Sequence, residues 1–292
     1  MLLGALEAGG TKMVLAIGNE AGDILEQTTI STADPAETIP EIISFFKARA
    51  IQALGVGSFG PVDLNRNSPT YGFITSTPKL AWAGYNLLGV LKDALGVPVG
   101  FDTDVNAAVL AEATWGSLRG LSSGVYITVG TGIGTGIYLN GQLLHGMLHP
   151  EAGHILLSRH PEDAFEGVCP YHPNCMEGLA SGPSLEKRYH KNAGELEKAS
   201  PAWEIEAYYL AQGIVNYILT LSPHRIILGG GVMKQLQLFP LIRAQVRTLL
   251  NGYIRTPQLE DLDTYIVPSS LEGKQGIMGC LRLAALELTQ GN

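Results

Sequence analysis

Two sets of residues in this 292-residue chain combine types and spacings that suit chemistry. The first is the run Cys169-Pro170-Tyr171-His172-Pro173-Asn174-Cys175, which places three soft or borderline donors on one tight loop. Thiolate and imidazole are ligands that zinc favours, and a tetrahedral ion needs a fourth. His145, His149, His154 and His160 stand upstream as sources of that fourth donor. Protein ligands at all four corners leave no open position for water, so such a metal would be structural. The plainer alternative is a free-thiol loop flanked by surface histidines.

The second set is three glycine-rich turns, each following an apolar strand: Glu7-Ala8-Gly9-Gly10-Thr11-Lys12, Thr128-Val129-Gly130-Thr131-Gly132-Ile133-Gly134, and Gly229-Gly230-Gly231. Glycine lets backbone N–H groups come close to an anion, and threonine or lysine adds donors. One such turn is most often a plain hairpin, whereas three in series point to bound phosphate. None has the spacing of a P-loop or of the dinucleotide fingerprint. Asp104 ends the acidic run of FDTDV, where a strand gives way to a helix. There it either projects from the carboxyl edge of a sheet as a general base or caps the following helix.

Alternating strands and helices must position these groups. LLGALEAGGTKMVLAIGNEAGDILEQTTIST reads as a meander of two or three strands broken at Gly9-Gly10 and Ala21-Gly22-Asp23. Ile39, Ile42, Ile43 and Phe46 recur at helical spacing between Pro35 and Ala50, and ALGVGSFGPVDL follows as a strand. NLLGVLKDALG is helical, VPVGFDTD is a strand, and VNAAVLAEATWG is the helix launched from it. GVYITVGTGIGTGIYLNGQLL then repeats the opening hairpin, a weak internal duplication. From Gly146 to Ser184 the pattern lapses into a His-, Pro- and Cys-rich stretch too long for an idle loop. LEKRYHK and AWEIEAYYLAQGIVNYILTLS are helices, and RIILGGGV and TYIVPS are strands. The order predicts an α/β chain with mainly parallel sheets. One lobe spans 1–118 and is completed by a C-terminal helix over 276–290; a second spans 119–275 with a metal loop at 146–184, and a hinge lies near 115–125.

A formal charge of −8 gives no basic surface for nucleic acid or anionic membranes. Met1–Leu6 lacks a basic segment leading into an apolar one, and no run approaches the roughly 18 apolar residues of a membrane span. A cytoplasmic location is expected. Three cysteines cannot all pair, and Cys280 within CLRLAALEL reads as a buried, inert thiol.

In order, EAGGTK, FDTDVNAAVLAE, VGTGIGTGI, EAGH, the Cys/His run leading into MEGLASGP, and LGGGV resemble the ROK family of sugar kinases and sugar-responsive repressors over nearly the whole chain. HPEAGHI and CPYHPNCMEGLASGPSLEKR are similar to its bacterial zinc-containing fructokinase branch. The resemblance implies the two-lobed actin/hexokinase-like (ribonuclease H-like) ATPase fold. It also implies transfer of phosphate from magnesium-ATP to a hexose, fructose being favoured, in a cleft between lobes that closes against water, and a homodimer.

By the same resemblance Asp104 aligns with the catalytic base. Thr103 replaces the asparagine that commonly contacts the sugar, which weakens the case for glucose; Asp102 substitutes in part or is structural. Glu151 and Glu177 match sugar-hydroxyl acceptors. His154, in Glu151-Ala152-Gly153-His154, matches E-x-G-H and counts both as a sugar contact and as the fourth zinc ligand beside Cys169, His172 and Cys175. The commoner zinc motif, Cys-x-Cys-Gly-x-x-Gly-Cys, is altered here, with a histidine in place of one cysteine. Gly9, Gly10, Thr11, Lys12, Gly130, Thr131, Gly132, Gly229, Gly230, Gly231 and, in Ser181-Gly182-Pro183, Pro183 are the implied nucleotide contacts. Glu7 is placed near magnesium, through water. Mannose, glucose and N-acetylhexosamines are the alternative acceptors. A repressor would need a helix-turn-helix module ahead of the first turn, for which a turn beginning at Glu7 leaves no room.

Overall fold

The computed structural model describes residues 1–290, and the chain forms two compact units. The first comprises Met1–Arg119, Leu143–Pro150 and the chain from Leu271 onward; the second comprises Gly120–Gln142 and Glu151–Ser270.

The first unit begins β1 (Leu3–Ala8), β2 (Lys12–Gly18), β3 (Ile24–Ser31), α1 (Pro35–Lys47), β4 (Ala53–Ser58), β5 (Phe73–Ile74), β6 (Tyr85–Asn86), α2 (Leu87–Leu95), β7 (Val99–Thr103) and α3 (Asp104–Thr114). The second holds β8 (Gly124–Val129), β9 (Ile133–Leu139), β10 (Gln142–Leu143, its last residue in the first unit), α4 (Met176–Ala180), α5 (Gly182–Tyr189), α6 (Ala202–Leu221), β11 (Ile226–Gly229), α7 (Leu238–Leu250), α8 (Pro257–Glu260), α9 (Leu262–Tyr265) and β12 (Ile266–Pro268). The chain returns to the first unit with α10 (Gln275–Gln290).

The first sheet has the order β3-β2-β1-β4-β7. β1 and β2 form an antiparallel hairpin, and β4 and β7 run parallel to β1. Ile39, Ile42 and Phe46 of α1 and Leu87, Leu88 and Leu91 of α2 are buried in one core cluster, as their helical spacing requires. The other core cluster joins Ala107 and Leu110 of α3 to Ile277, Cys280, Leu281 and Ala284 of α10. α10 comes so near that a Cβ on Gly55 would stand 1.7 Å from the Cys280 carbonyl oxygen, and one on Gly279 1.8 Å from that of Ala107. Glycine at both positions is what lets helix, strand and helix close on one another.

The second sheet, β10-β9-β8-β11-β12, repeats this arrangement: an antiparallel β8–β9 hairpin with β11 parallel to β8 and β12 parallel to β11. The duplication glimpsed in the glycine turns is thus a duplication of sheet topology. Both sheets are mixed rather than mainly parallel, because each opens with hairpin-linked strands before its crossovers begin.

The stretch over 146–184 is more ordered than its composition suggests. Ala152–His154 form a 3₁₀ turn, Leu156 bridges Cys175, and α4 and most of the first turn of α5 lie inside it. Its start belongs with the first unit, where the sequence places all of 119–275 in the second lobe. His149 is buried and its Nε2 accepts from the Val62 N–H at 3.1 Å, which ties 143–150 to the first unit's loops. Among the described residues no helix is long and apolar enough to cross a membrane.

Candidate active site and metal centre

In the first unit the strand register puts the first glycine turn and Asp104 on one sheet edge. Ala8 pairs with Ser58 and Ser58 with Thr103, so the residues that follow, Gly9 and Asp104, leave strands two apart. At the usual strand spacing that separation is about 10 Å. Asp104 is the first residue of α3 and does not cap it. Thr103 is the cap: its Oγ1 accepts from the Asn106 N–H at 3.1 Å, and the residue is 3% exposed. The hydroxyl expected to meet sugar is therefore a buried helix cap. Asp102 is equally committed, its Oδ1 accepting from the Thr103 N–H (2.8 Å) and the Asn106 amide (2.7 Å), its Oδ2 lying 2.8 Å from His145 Nε2. Gly9 and Thr11 lie in the β1–β2 turn, closed by the Gly9 N–H to the Lys12 carbonyl at 3.1 Å, and Lys12 opens β2. Glu7 packs against Gly276 of α10, and burial pushes its carboxyl up while Lys12 pulls it back.

In the second unit three expected nucleotide elements come together. The Gly182 N–H at the start of α5 donates to the Gly130 carbonyl at 2.8 Å, which sets Pro183 beside the second turn. A Cβ on Gly130 would stand 3.9 Å from the Gly231 nitrogen, and Gly230 adopts φ +92° against the Val129 backbone, a conformation that favours glycine. Gly132 faces Glu177, Gly229 ends β11, and Thr131 is exposed at the tip of its turn.

His154, Cys169, His172 and Cys175 place one donor atom each within 4.8 Å of one another. Cys169 Sγ lies 3.8 Å from His154 Nδ1 and 3.6 Å from His172 Nδ1; Cys175 Sγ lies 3.6 Å from His154 Nδ1. A tetrahedral zinc with ordinary Zn–S and Zn–N bonds has S···N edges of about 3.6 Å, so this donor set fits the ion in both chemistry and size. Burial pushes the Cys175 thiol up to about 12, a cost that a bound cation removes by taking the thiolate. His145, His149 and His160 stand outside the cluster.

The cluster reaches the second turn through Glu177. His154 Nε2 is 3.8 Å from Glu177 Oε1, and Glu177 Oε2 accepts from the Ile133 N–H at 3.0 Å. Desolvation, and then the Glu177 carboxylate, push Glu151 up to about 7, a push that its exposed side limits. Gly153 carries the arrangement: a Cβ there would stand 1.7 Å from the Ile133 carbonyl oxygen.

The ROK family profile matches residues 3–287 of the chain. The chain belongs to the ROK family. Among relatives of this ROK protein, the fructokinase of Pediococcus pentosaceus is 43% identical over 99% of both chains. The fructokinase of Lactococcus lactis subsp. cremoris is 45% identical over 96% of both. The ROK hexokinase of Thermus thermophilus superposes with a TM-score of 0.79 at 26% identity, covering 100% of each chain. These similarities bear out the family resemblance and the two-lobed actin/hexokinase-like fold.

Two residues around Asp102 were not given that place by the sequence. Asn106 looks like an ordinary helix residue and His145 reads as a candidate zinc donor, and only the fold brings them to Asp102. The hydrogen bond to Asp102 raises the His145 pKa against the opposing pull of burial.

Proposed function

We propose that this ROK protein is an ATP-dependent hexose kinase with fructose as its acceptor, phosphorylated on the 6-hydroxyl. The observation that carries this is Asp104, held at the carboxyl edge of the first sheet in register with a glycine turn. Near-full-length identity of 43–45% to two fructokinases supports the choice of sugar.

Asp104 accepts the hydroxyl proton as the sugar oxygen bonds to the γ-phosphorus; the bond from phosphorus to the bridging oxygen breaks, and its electron pair leaves with ADP. Asp104 sits on the first turn of α3, its Oδ1 accepting from the Val105 N–H at 2.8 Å. Glu151, His154 and Glu177 orient the sugar hydroxyls, with Thr103 supporting from the helix cap rather than by direct reach. Gly9–Lys12, Gly130–Gly132, Pro183 and Gly229–Gly231 hold the nucleotide. Magnesium bound with ATP neutralises charge on the phosphates. Zinc held by His154, Cys169, His172 and Cys175 fixes the loop that presents Glu151 and Glu177. The protein works in the cytoplasm as a homodimer, the latter checked by light scattering.

A coupled ADP-release assay across fructose, mannose, glucose and N-acetylhexosamines tests this. Turnover highest with fructose supports it. Strong glucose turnover with inactive fructose overturns the choice of sugar, and no sugar-dependent ADP release overturns the kinase.

A further inference from the structure

Lys79 takes no part in the site described so far, yet the fold gives it a fixed place beside the first glycine turn. Its main chain is held firmly. The Lys79 N–H donates to Thr77 Oγ1 at 3.3 Å, and the Lys79 carbonyl accepts from the Trp82 N–H at 2.8 Å. Trp82 is 1% exposed, its indole N–H donates to the Ala33 carbonyl at 2.8 Å, and its ring meets Phe59 and Tyr85 edge-on. Thr75 anchors the start of the segment through its N–H to the Pro61 carbonyl at 2.8 Å. From that platform the side chain runs to the turn: a Cβ on Gly10 would lie 3.6 Å from Lys79 Cε.

The ammonium group at the end of that chain has no carboxylate to neutralise it. Among the described residues Lys79 makes no ion pair, and neither does Lys12, which opens β2 on the far side of the same turn. Lys12 acts on the buried Glu7 carboxyl, but in a chain with 27 acids and 19 lysines and arginines, Lys79 left beside a glycine turn without an ion pair among the described residues marks a place kept for an anion.

We propose that Lys79 binds the phosphoryl group in transfer, as a phosphate-binding residue supplied by the 75–84 segment rather than by the turn itself. This rests on the kinase reading. Asp104, the base for the acceptor oxygen, leaves the same sheet edge as the turn that Lys79 faces, so the phosphate nearest to both is the one that passes to the sugar. In transfer its charge spreads over three equatorial oxygens, and a compact ammonium aimed at them stabilises that state. No bond to Lys79 forms or breaks.

The test compares Lys79→Met and Lys79→Arg with the wild type, in turnover and in calorimetric affinity for ADP and for AMP-PNP, which keeps a γ-phosphoryl group. Lys79→Met is expected to lower kcat about 10²–10³-fold. It should weaken AMP-PNP binding and leave ADP binding unchanged, and Lys79→Arg should restore part of both losses. A Met variant with the wild-type melting temperature, wild-type kcat and an unchanged AMP-PNP-to-ADP affinity ratio overturns the assignment. Equal weakening of ADP and AMP-PNP overturns it too, since Lys79 would then serve the diphosphate. If the Met variant does not melt cooperatively, Lys79→Gln decides by the same two ratios. A wild type that binds both nucleotides but phosphorylates no hexose defeats the kinase reading alone, and the affinity ratio still decides Lys79.

Discussion

Asp102 and Asp104 stand two positions apart, and their surroundings divide the work between them. Asp102 is 3% exposed and occupied by Thr103, Asn106 and His145, so it holds the start of α3 in place. Asp104, on the first turn of that helix with its Oδ1 accepting from the Val105 N–H at 2.8 Å, is the carboxylate proposed to accept the sugar proton. Asp104→Asn keeps the shape and removes the base; kcat should fall about 10²–10⁴-fold while ADP still binds, as calorimetry would show. An undiminished kcat would end the assignment. His145 adds a pH signature. Its pKa is raised in the fold by Asp102, so its contribution is full below the unfolded value of about 6.5 and fades as pH climbs through the folded one. His149 and Tyr71 share the surroundings of Asp102, and burial moves His149 the opposite way, so the single-residue difference is what should be measured. The melting temperature of the wild type relative to His145→Gln is expected to be highest below about pH 6.5 and to decline as pH rises above it. A flat difference would show that the contact gives no net stability.

At the scale of elements, the loop that carries the Cys/His cluster is fastened along α6. The Tyr217 hydroxyl donates to the Ala152 carbonyl at 2.6 Å, Gln212 exchanges two hydrogen bonds with the Ser158 backbone, and the Tyr209 hydroxyl donates to Asp163 at 2.7 Å. Gly153 must then slip beneath the Ile133 carbonyl. Gly153→Ala should drive the 3₁₀ turn off the β8–β9 hairpin, raising KM for sugar and loosening the metal, with nucleotide affinity little changed. A wild-type KM with one retained zinc per chain, by atomic absorption, would refute this. These elements differ in how well the sequence announced them. The helices α1 and α2 and the strands β1, β2 and β8 were legible because apolar periodicity and glycine breaks are local signals. The donors Cys169, His172 and Cys175 were legible because their spacing is local too. The ties of Asp102 to His145 and of Glu177 to the Ile133 N–H span 43 and 44 residues, and no periodicity encodes such distances. Thr103 as the cap of α3 was missed for a finer reason: Thr103 and Asp104 are both good capping types, and only the backbone dihedrals decide which one leaves the helix.

Across the whole molecule the two units share a sheet topology but are stabilised differently. The first closes α10 over glycines, whereas the second holds its Cys/His loop against α6 and buries the Glu206 carboxyl on that helix. Chelation should therefore lower thermal stability and hexose affinity together, both restored by added zinc; loss of neither would make the ion dispensable. Glu206 gives the second unit a further sensitivity. It is 0% exposed on α6, and among the described residues neither carboxyl oxygen has a hydrogen-bond partner. Arg188 lies near enough to pull its pKa down, but Arg188 Nη2 is turned to the Leu179 carbonyl at 2.8 Å and to Asp163 at 3.2 Å. Burial dominates and raises the Glu206 pKa well above 4.5. A carboxyl raised in this way costs stability as pH rises from its unfolded value toward its folded one, because the fold must hold either the proton or a buried charge. Glu206→Gln keeps the volume without the charge. Its melting temperature should exceed the wild type's by about 2–4 °C at pH 8, corresponding to about 1 kcal/mol, and the two should converge toward pH 5. A variant less stable than the wild type at pH 8 would mean that ionised Glu206 is paired with Arg188 and that its burial is compensated.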